Sequence, residues 1–116
     1  ISSYDYNFSP HYFDTHKDHK AVTFLLQNLL KMSKYKKDLK LAFYEVWASL
    51  PTFNYYVDID PVYEEKIKMI QCYESQLKNL NFLEGITGLN KYRGICVNLR
   101  HAEVFCVITS SLFLKI

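Results

Sequence analysis

From His19 to Met32 the residues Val22, Leu25, Leu26, Leu29 and Leu30 recur at spacings of three and four. That period puts them on one face of a helix, and such a face must pack on a sheet or on another helix. The helix dissolves into "SKYKKDLK", a solvated basic turn, and "LKLAFYEVWASL" follows. This run of apolar, aromatic and β-branched residues has strand length and reads as a buried strand, although periodicity alone leaves a helix open. "FNYYVDI" is a second short strand candidate.

Asp60-Pro61 then marks a helix start, a capping oxygen followed by a residue whose missing N–H costs nothing in a first turn. Tyr63, Ile67, Ile70, Tyr73, Leu77 and Leu80 form the apolar stripe of the helix it opens. "NFLEGITGLNKY" and "RHAEVFCVI" read as two further helical pieces, separated by Gly94 near a turn. The opening "ISSYDYNFSPHYFD" reads as an irregular loop that delivers residues to a site. With only three Gly and three Pro, no repeats and no low-complexity segment, no linker is visible, and a single domain over 1–116 is expected.

Roughly half of the residues are apolar, with ten Tyr and eight Phe, so the chain is expected to fold. The net charge of +2 is spread along the chain without a basic stripe, so nucleic acid is not an expected partner. Cys72, Cys96 and Cys106 form no CxxC pair and cannot all pair within one chain, which points to a reducing compartment and a cytoplasmic location. No signal peptide opens the chain, and "VFCVITSSLFLKI" is too short and too polar for a transmembrane segment. The chain opens at Ile1 and not at a methionine, as a sequence with a further upstream segment would.

"FDTHKDHKAV", residues 13 to 22, carries two histidines and two aspartates just ahead of the apolar helix. Thr15 with Asp18 three residues on has the capping-box arrangement, which puts His16 and His19 in the first turn and on one face. The positive end of a helix disfavours protonated imidazole, and the neutral ring is the form that binds metal. Asp14 and Asp18 are placed to hold the far ring nitrogens. Two histidines and two acids at a helix start also describe a solvated cap, and spacing alone leaves both readings open. Catalytic zinc usually has three protein ligands, so any remaining ones must come from elsewhere. The chain has no HExxH, no GxSxG and no phosphate- or dinucleotide-binding glycine loop, so metal chemistry is the one standard chemistry with support.

Several segments, in order, resemble the zinc-dependent N-acetylglucosaminyl deacetylases of the PIG-L/LmbE family. "DTHKDHKAV" resembles the motif D-x-H-P-D-H-x-A, "YEVW", "KIKMIQCYESQL" and "GLNKYRG" resemble later segments, and "HAEVF" resembles Y-A-E-x-F. The resemblance covers nearly the whole chain, and the order of the segments makes it specific. It implies an α/β fold, the C-terminal part of a Rossmann-like parallel-sheet domain with flanking helices, with zinc at the carboxyl ends of the strands. It implies His19 as a zinc ligand, His16 as the group that polarises the acyl oxygen or acts as general acid, and Asp18 as the acid that orients it. Arg93, before Gly94, falls in a segment that in some members reaches the acyl side, but a surface arginine paired with an acid such as Glu103 is an equal reading.

Lys17 stands where the family has Pro, and His101 where it has Tyr; neither change removes a presumed catalytic group. The family's first motif, A-H-P-D-D-E, has no match, so the chain resembles the back half of the enzyme, without the water-activating aspartate. The implied substrate is an acetamido-sugar conjugate, hydrolysed to an amine and acetate. Two rival expectations are a non-catalytic binding or interaction module that retains the fold, and an unrelated helical domain with no parallel strand at "LKLAFYEVW". A half α/β sheet would further expose a sheet edge and apolar helix faces.

Overall fold

The computed structural model describes residues 6–33, 38–78 and 81–116. In chain order these form strand β1 (Tyr6–Pro10), helix α1 (Lys17–Met32), strands β2 (Lys40–Tyr44) and β3 (Tyr55–Asp58), a 3-10 turn (Asp60–Val62), helices α2 (Tyr63–Gln71), α3 (Glu74–Leu77) and α4 (Phe82–Cys96), strand β4 (Ala102–Thr109) and helix α5 (Ser110–Phe113). The strands make one mixed sheet of order β1-β2-β4-β3, so the chain is α/β with flanking helices. β1 and β2 are parallel, with Tyr6 opposite Lys40 and Pro10 opposite Tyr44, and β2 and β4 are antiparallel. The parallel pair at "KLAFY" excludes the all-helical alternative. None of the described helices is long and apolar enough to cross a membrane.

Two compact units make up the chain, Ile1–Tyr55 with Val104–Ile116, and Tyr56–Glu103. The first is organised by the β1-α1-β2 crossover. Its core gathers Leu30 from α1, Leu39, Leu41 and Phe43 from in and around β2, Leu50, Val104 and Phe113. Phe43 is fully buried, its ring 5.6 Å from Tyr12 and 5.2 Å from Phe113. The apolar stripe of α1 is divided. Leu30 is buried and Leu26 packs on the core, but Val22, Leu25 and Leu29 are exposed beside Tyr6 and Phe8 along a 410 Å³ groove. Among the described residues β1 is an edge strand. Its last residue, Pro10, has no N–H to give, a type tolerated at edges.

Four expectations are corrected. The opening segment holds β1 and is not wholly a loop. "RHAEVFCVI" is strand β4, because the run lies in the sheet between two other strands, where the backbone is paired by neighbours and not by itself. The cap of α1 is His16 and not Thr15: Asp14 Oδ1 accepts the His16 N–H at 2.8 Å, and the His16 side chain accepts the Asp18 N–H. The helix after Asp60-Pro61 stops at Gln71, and a short α3 follows the break at Cys72 and Tyr73; Leu80 and residues 34–37 of the basic turn lie outside the described residues.

In the second unit α2 and α3 both pack on α4. α4 runs through Gly94 and ends in a Schellman closure. The Leu99 N–H reaches the Gly94 carbonyl at 2.8 Å and the Asn98 N–H the Ile95 carbonyl at 3.3 Å. Asn98 takes the left-handed conformation this demands, with φ 61°. The returning chain comes so near that a Cβ on Gly94 would lie 2.6 Å from the Leu99 and Arg100 carbonyl oxygens, whereas one on Gly88 would meet nothing within 4 Å. Gly94→Ala is therefore expected to destabilise by about 1–3 kcal/mol, despite the better helix propensity of alanine. Gly88→Ala is expected to stabilise by about 0.5–1 kcal/mol. Urea unfolding of both variants checks the pair, and a stabilising Gly94→Ala would show that the closure is not tight.

Candidate active site

The carboxyl ends of β1 and β2 lie side by side, because the two strands are parallel and in register. Open α/β sheets place ligands at such strand ends. The loop after β1 runs from His11 into the cap of α1, and the loop after β2 carries Glu45 to Leu50. Asp14 joins them. Fully buried, it accepts the His16 N–H on Oδ1 at 2.8 Å and the Trp47 N–H on Oδ2 at 3.2 Å. Its Oδ2 also lies 3.3 Å from His19 Nδ1, although that contact is off the line of a good hydrogen bond. Burial alone would raise the Asp14 carboxyl pKa, but the two backbone N–H groups and His19 together outweigh it and hold the carboxyl below the usual range. Burial, and then the Asp14 charge, push the Tyr44 phenol up, so it stays protonated.

The two histidines have different partners. His16 Nδ1 accepts the Asp18 N–H at 3.2 Å, so the ring hydrogen lies on Nε2, a donor. His19 Nδ1 faces the Asp14 carboxylate at 3.3 Å with no hydrogen bond between them, which sets the ring beside a carboxylate of the kind that supports metal-binding histidines. The rings are 4.8 Å apart, centre to centre. Asp18 serves His16 through its backbone: its carboxylate is 4.0 Å from His16 Nδ1 and 76% exposed, too far and too solvated for a strong pair. Three protein ligands are usual for catalytic zinc, and among the described residues no group of three or more His, Cys, Asp or Glu is placed to hold an ion. His19, with Asp14 behind it, fits one ligand position and does not make a zinc site alone.

Arg93 belongs to the second unit, in the last turn of α4, and is buried, with its guanidinium carbon 5.6 Å from the Tyr92 ring centre. Arg93 is therefore not a surface residue, and Lys66 pairs with Glu103.

Two residues of the site were not singled out from the sequence, although Trp47 closes the segment "YEVW". His11 is fully buried, accepts the Phe13 N–H on Nδ1 and donates from Nε2 to the Ala48 carbonyl at 2.8 Å, which ties the two loops together. Trp47 lies with its ring 6.4 Å from that of His16, the planes 19° apart. Neither has a spacing that marks it; the proximity of the strand ends creates both contacts.

The fold and site define an α/β chain with a carboxylate-supported histidine pair at the carboxyl ends of its parallel strands. No protein-family model matches the sequence, and no curated protein matches it either.

Proposed function

We propose that the chain is the C-terminal part of a zinc-dependent N-deacetylase of the PIG-L/LmbE kind, with a Rossmann-like sheet, acting on acetamido-sugar conjugates. The juxtaposition of His16, whose Nδ1 accepts the Asp18 N–H, with His19, which faces the Asp14 carboxylate, carries this reading. Amide hydrolysis needs a donor for the oxygen that becomes negative and a separate ligand for the metal, and the N-cap and first turn of α1 offer both. His19 would hold zinc, with Asp14 fixing its ring; the other ligands and the base would come from residues outside this group. Zinc, when bound, supplies Lewis-acid activation of water and of the acetamide carbonyl. His16 Nε2–H donates to the developing oxyanion, held in that direction by the Asp18 N–H on the opposite nitrogen.

Acetate release from N-acetylglucosamine conjugates by the full-length protein that carries this chain, abolished by chelator and restored by zinc, tests the reading. The capping role of His16 favours a second one, a non-catalytic module in which the histidines only start a helix. His16→Asn separates them, since asparagine is a good N-cap with no imidazole. Deacetylation predicts a loss of about 10²-fold in kcat at unchanged stability, the usual effect of removing an oxyanion donor. A variant as active as the parent would leave His16 as a cap and nothing more.

A further inference from the structure

His11 follows directly on β1, and its backbone fixes the strand end: the N–H reaches the Tyr44 carbonyl at 3.2 Å, and the carbonyl accepts the Asp14 N–H at 3.0 Å. The ring is fully buried, and both of its nitrogens are engaged. Nδ1 accepts the Phe13 N–H at 3.0 Å and Nε2 donates to the Ala48 carbonyl at 2.8 Å, which defines one neutral tautomer. Two rungs therefore cross between the loops after β1 and β2, and they land on adjacent residues. Asp14 takes the Trp47 N–H at 3.2 Å, and His11 makes the shorter bond to Ala48. On the β1 side the two rungs are joined by the turn that the Asp14 N–H closes onto the His11 carbonyl. Asp14 in turn holds the His16 N–H and stands 3.3 Å from His19 Nδ1, so its place governs both site histidines.

We propose that His11 is a positioning residue for the His16 and His19 site: its Nε2 bond to Ala48 sets the spacing of the two loops, and Asp14 passes that spacing on to the cap of α1. Its effect on catalysis rests on the deacetylase reading; its effect on the geometry of the site does not. A buried side chain that only steadies the loops would act through either of its two hydrogen bonds, whereas a positioning residue acts through the one that crosses between them.

Two substitutions divide the bonds. In His11→Asn the amide oxygen falls near the place of Nδ1 and takes the Phe13 N–H, but the side chain is too short to reach Ala48. In His11→Gln the amide nitrogen falls near the place of Nε2 and donates to Ala48, but the Phe13 N–H loses its acceptor. Each variant gives up one buried hydrogen bond, so the urea midpoints of both are expected to fall by similar amounts.

The site is read by 15N NMR of the histidine rings in the full-length protein that carries this chain, with His16 assigned by the loss of its signals in His16→Asn. The parent and His11→Gln are expected to show well-separated His16 nitrogens, those of one Nε2–H tautomer. In His11→Asn the two signals should converge as the cap loosens and the tautomers average. In His11→Asn, kcat for acetate release should fall about 10–100-fold, and further than KM moves, since a misplacement of about 1 Å costs up to about 10²-fold; in His11→Gln it should stay within about threefold of the parent. Unchanged His16 signals in His11→Asn, equal kcat in the two variants, or a His11→Asn that fails to fold where His11→Gln folds would each overturn the positioning role. Acetate release by both variants alike, with His16 undisturbed, sinks His11 and leaves deacetylation standing. The NMR contrast without acetate release by the parent upholds His11 and counts against hydrolysis.

Discussion

His19→Ala is expected to empty the site of zinc and to stop acetate release while leaving the fold in place. Its Nδ1 faces the buried Asp14 carboxylate, so a metal would be met at Nε2. Losing a direct ligand should cost more than the roughly 10–100-fold in metal affinity that a supporting residue costs. Activity should fall on the order of 10³-fold, since a metal supplies several kcal/mol of transition-state stabilisation at about 1.4 kcal/mol per decade. Stability should barely move: the side chain is 25% exposed in the first turn of α1, and alanine is the better helix former. Zinc content by atomic spectroscopy and urea unfolding read the two effects separately. His16→Asn is expected to keep its zinc. Equal metal loss in both variants would mean that the histidines share one role, and zinc retained in His19→Ala would remove it from the ligand set.

Asp14→Ala attacks fold and site together. The aspartate is fully buried and accepts two backbone N–H groups from loops that follow different strands. Without it both donors are stranded in a closed space, at about 1–3 kcal/mol each before relaxation, so a loss of about 3 kcal/mol is expected. Asp14→Asn keeps one acceptor oxygen but turns an amide NH2 toward a donor, for a loss of about 1–2 kcal/mol. On the deacetylase reading both variants should also bind zinc about 10–100-fold more weakly, because His19 loses the carboxylate beside its ring.

The same residue sets an acid limit. Its native pKa is held below that of an unfolded aspartate, near 3.9, so its contribution is complete above that value and lost as pH falls through the lower native one. Asp38 adds to the effect in the same direction, its carboxylate held down by the Ser111 hydroxyl, the Ser110 hydroxyl and the Ser111 N–H. Unfolding followed against pH should show stability falling below about pH 4 in the parent and a flatter acid limb in Asp14→Asn. An identical acid limb in both would show that Asp14 is not the group responsible.

Much of this was legible from residue order, where the deciding interactions are local. The three-and-four spacing from Val22 to Leu30 marked the helix that became α1, Lys17–Met32. The apolar run at "KLAFY" marked β2, and Asp60-Pro61 marked the turn into α2. The three-residue spacing of His16 and His19 put both on one helical face, and their rings do lie 4.8 Å apart. Each of these follows from contacts within about one or two helical turns or one strand, which periodicity records.

Other features needed the sheet. "HAEVFCVI" carries an apolar run that suits helix or strand equally, and its place beside β2 and β3 decided for β4. The cap moved from Thr15 to His16 because Asp14, held by a loop 33 residues away, takes the His16 N–H. With its N–H taken there, His16 stands at the N-cap and its ring accepts the Asp18 N–H.

Residue order alone sets which residue types share a helical face and which runs are apolar enough to seek a partner. Contacts between distant segments set which nitrogen of His16 accepts a hydrogen bond, which loop brings the tryptophan beside it, and which carboxylate stands next to His19. The physical reason is that a tautomer is set by hydrogen-bond partners. Here those partners come from two strand ends that neighbour each other in the sheet but lie far apart along the chain.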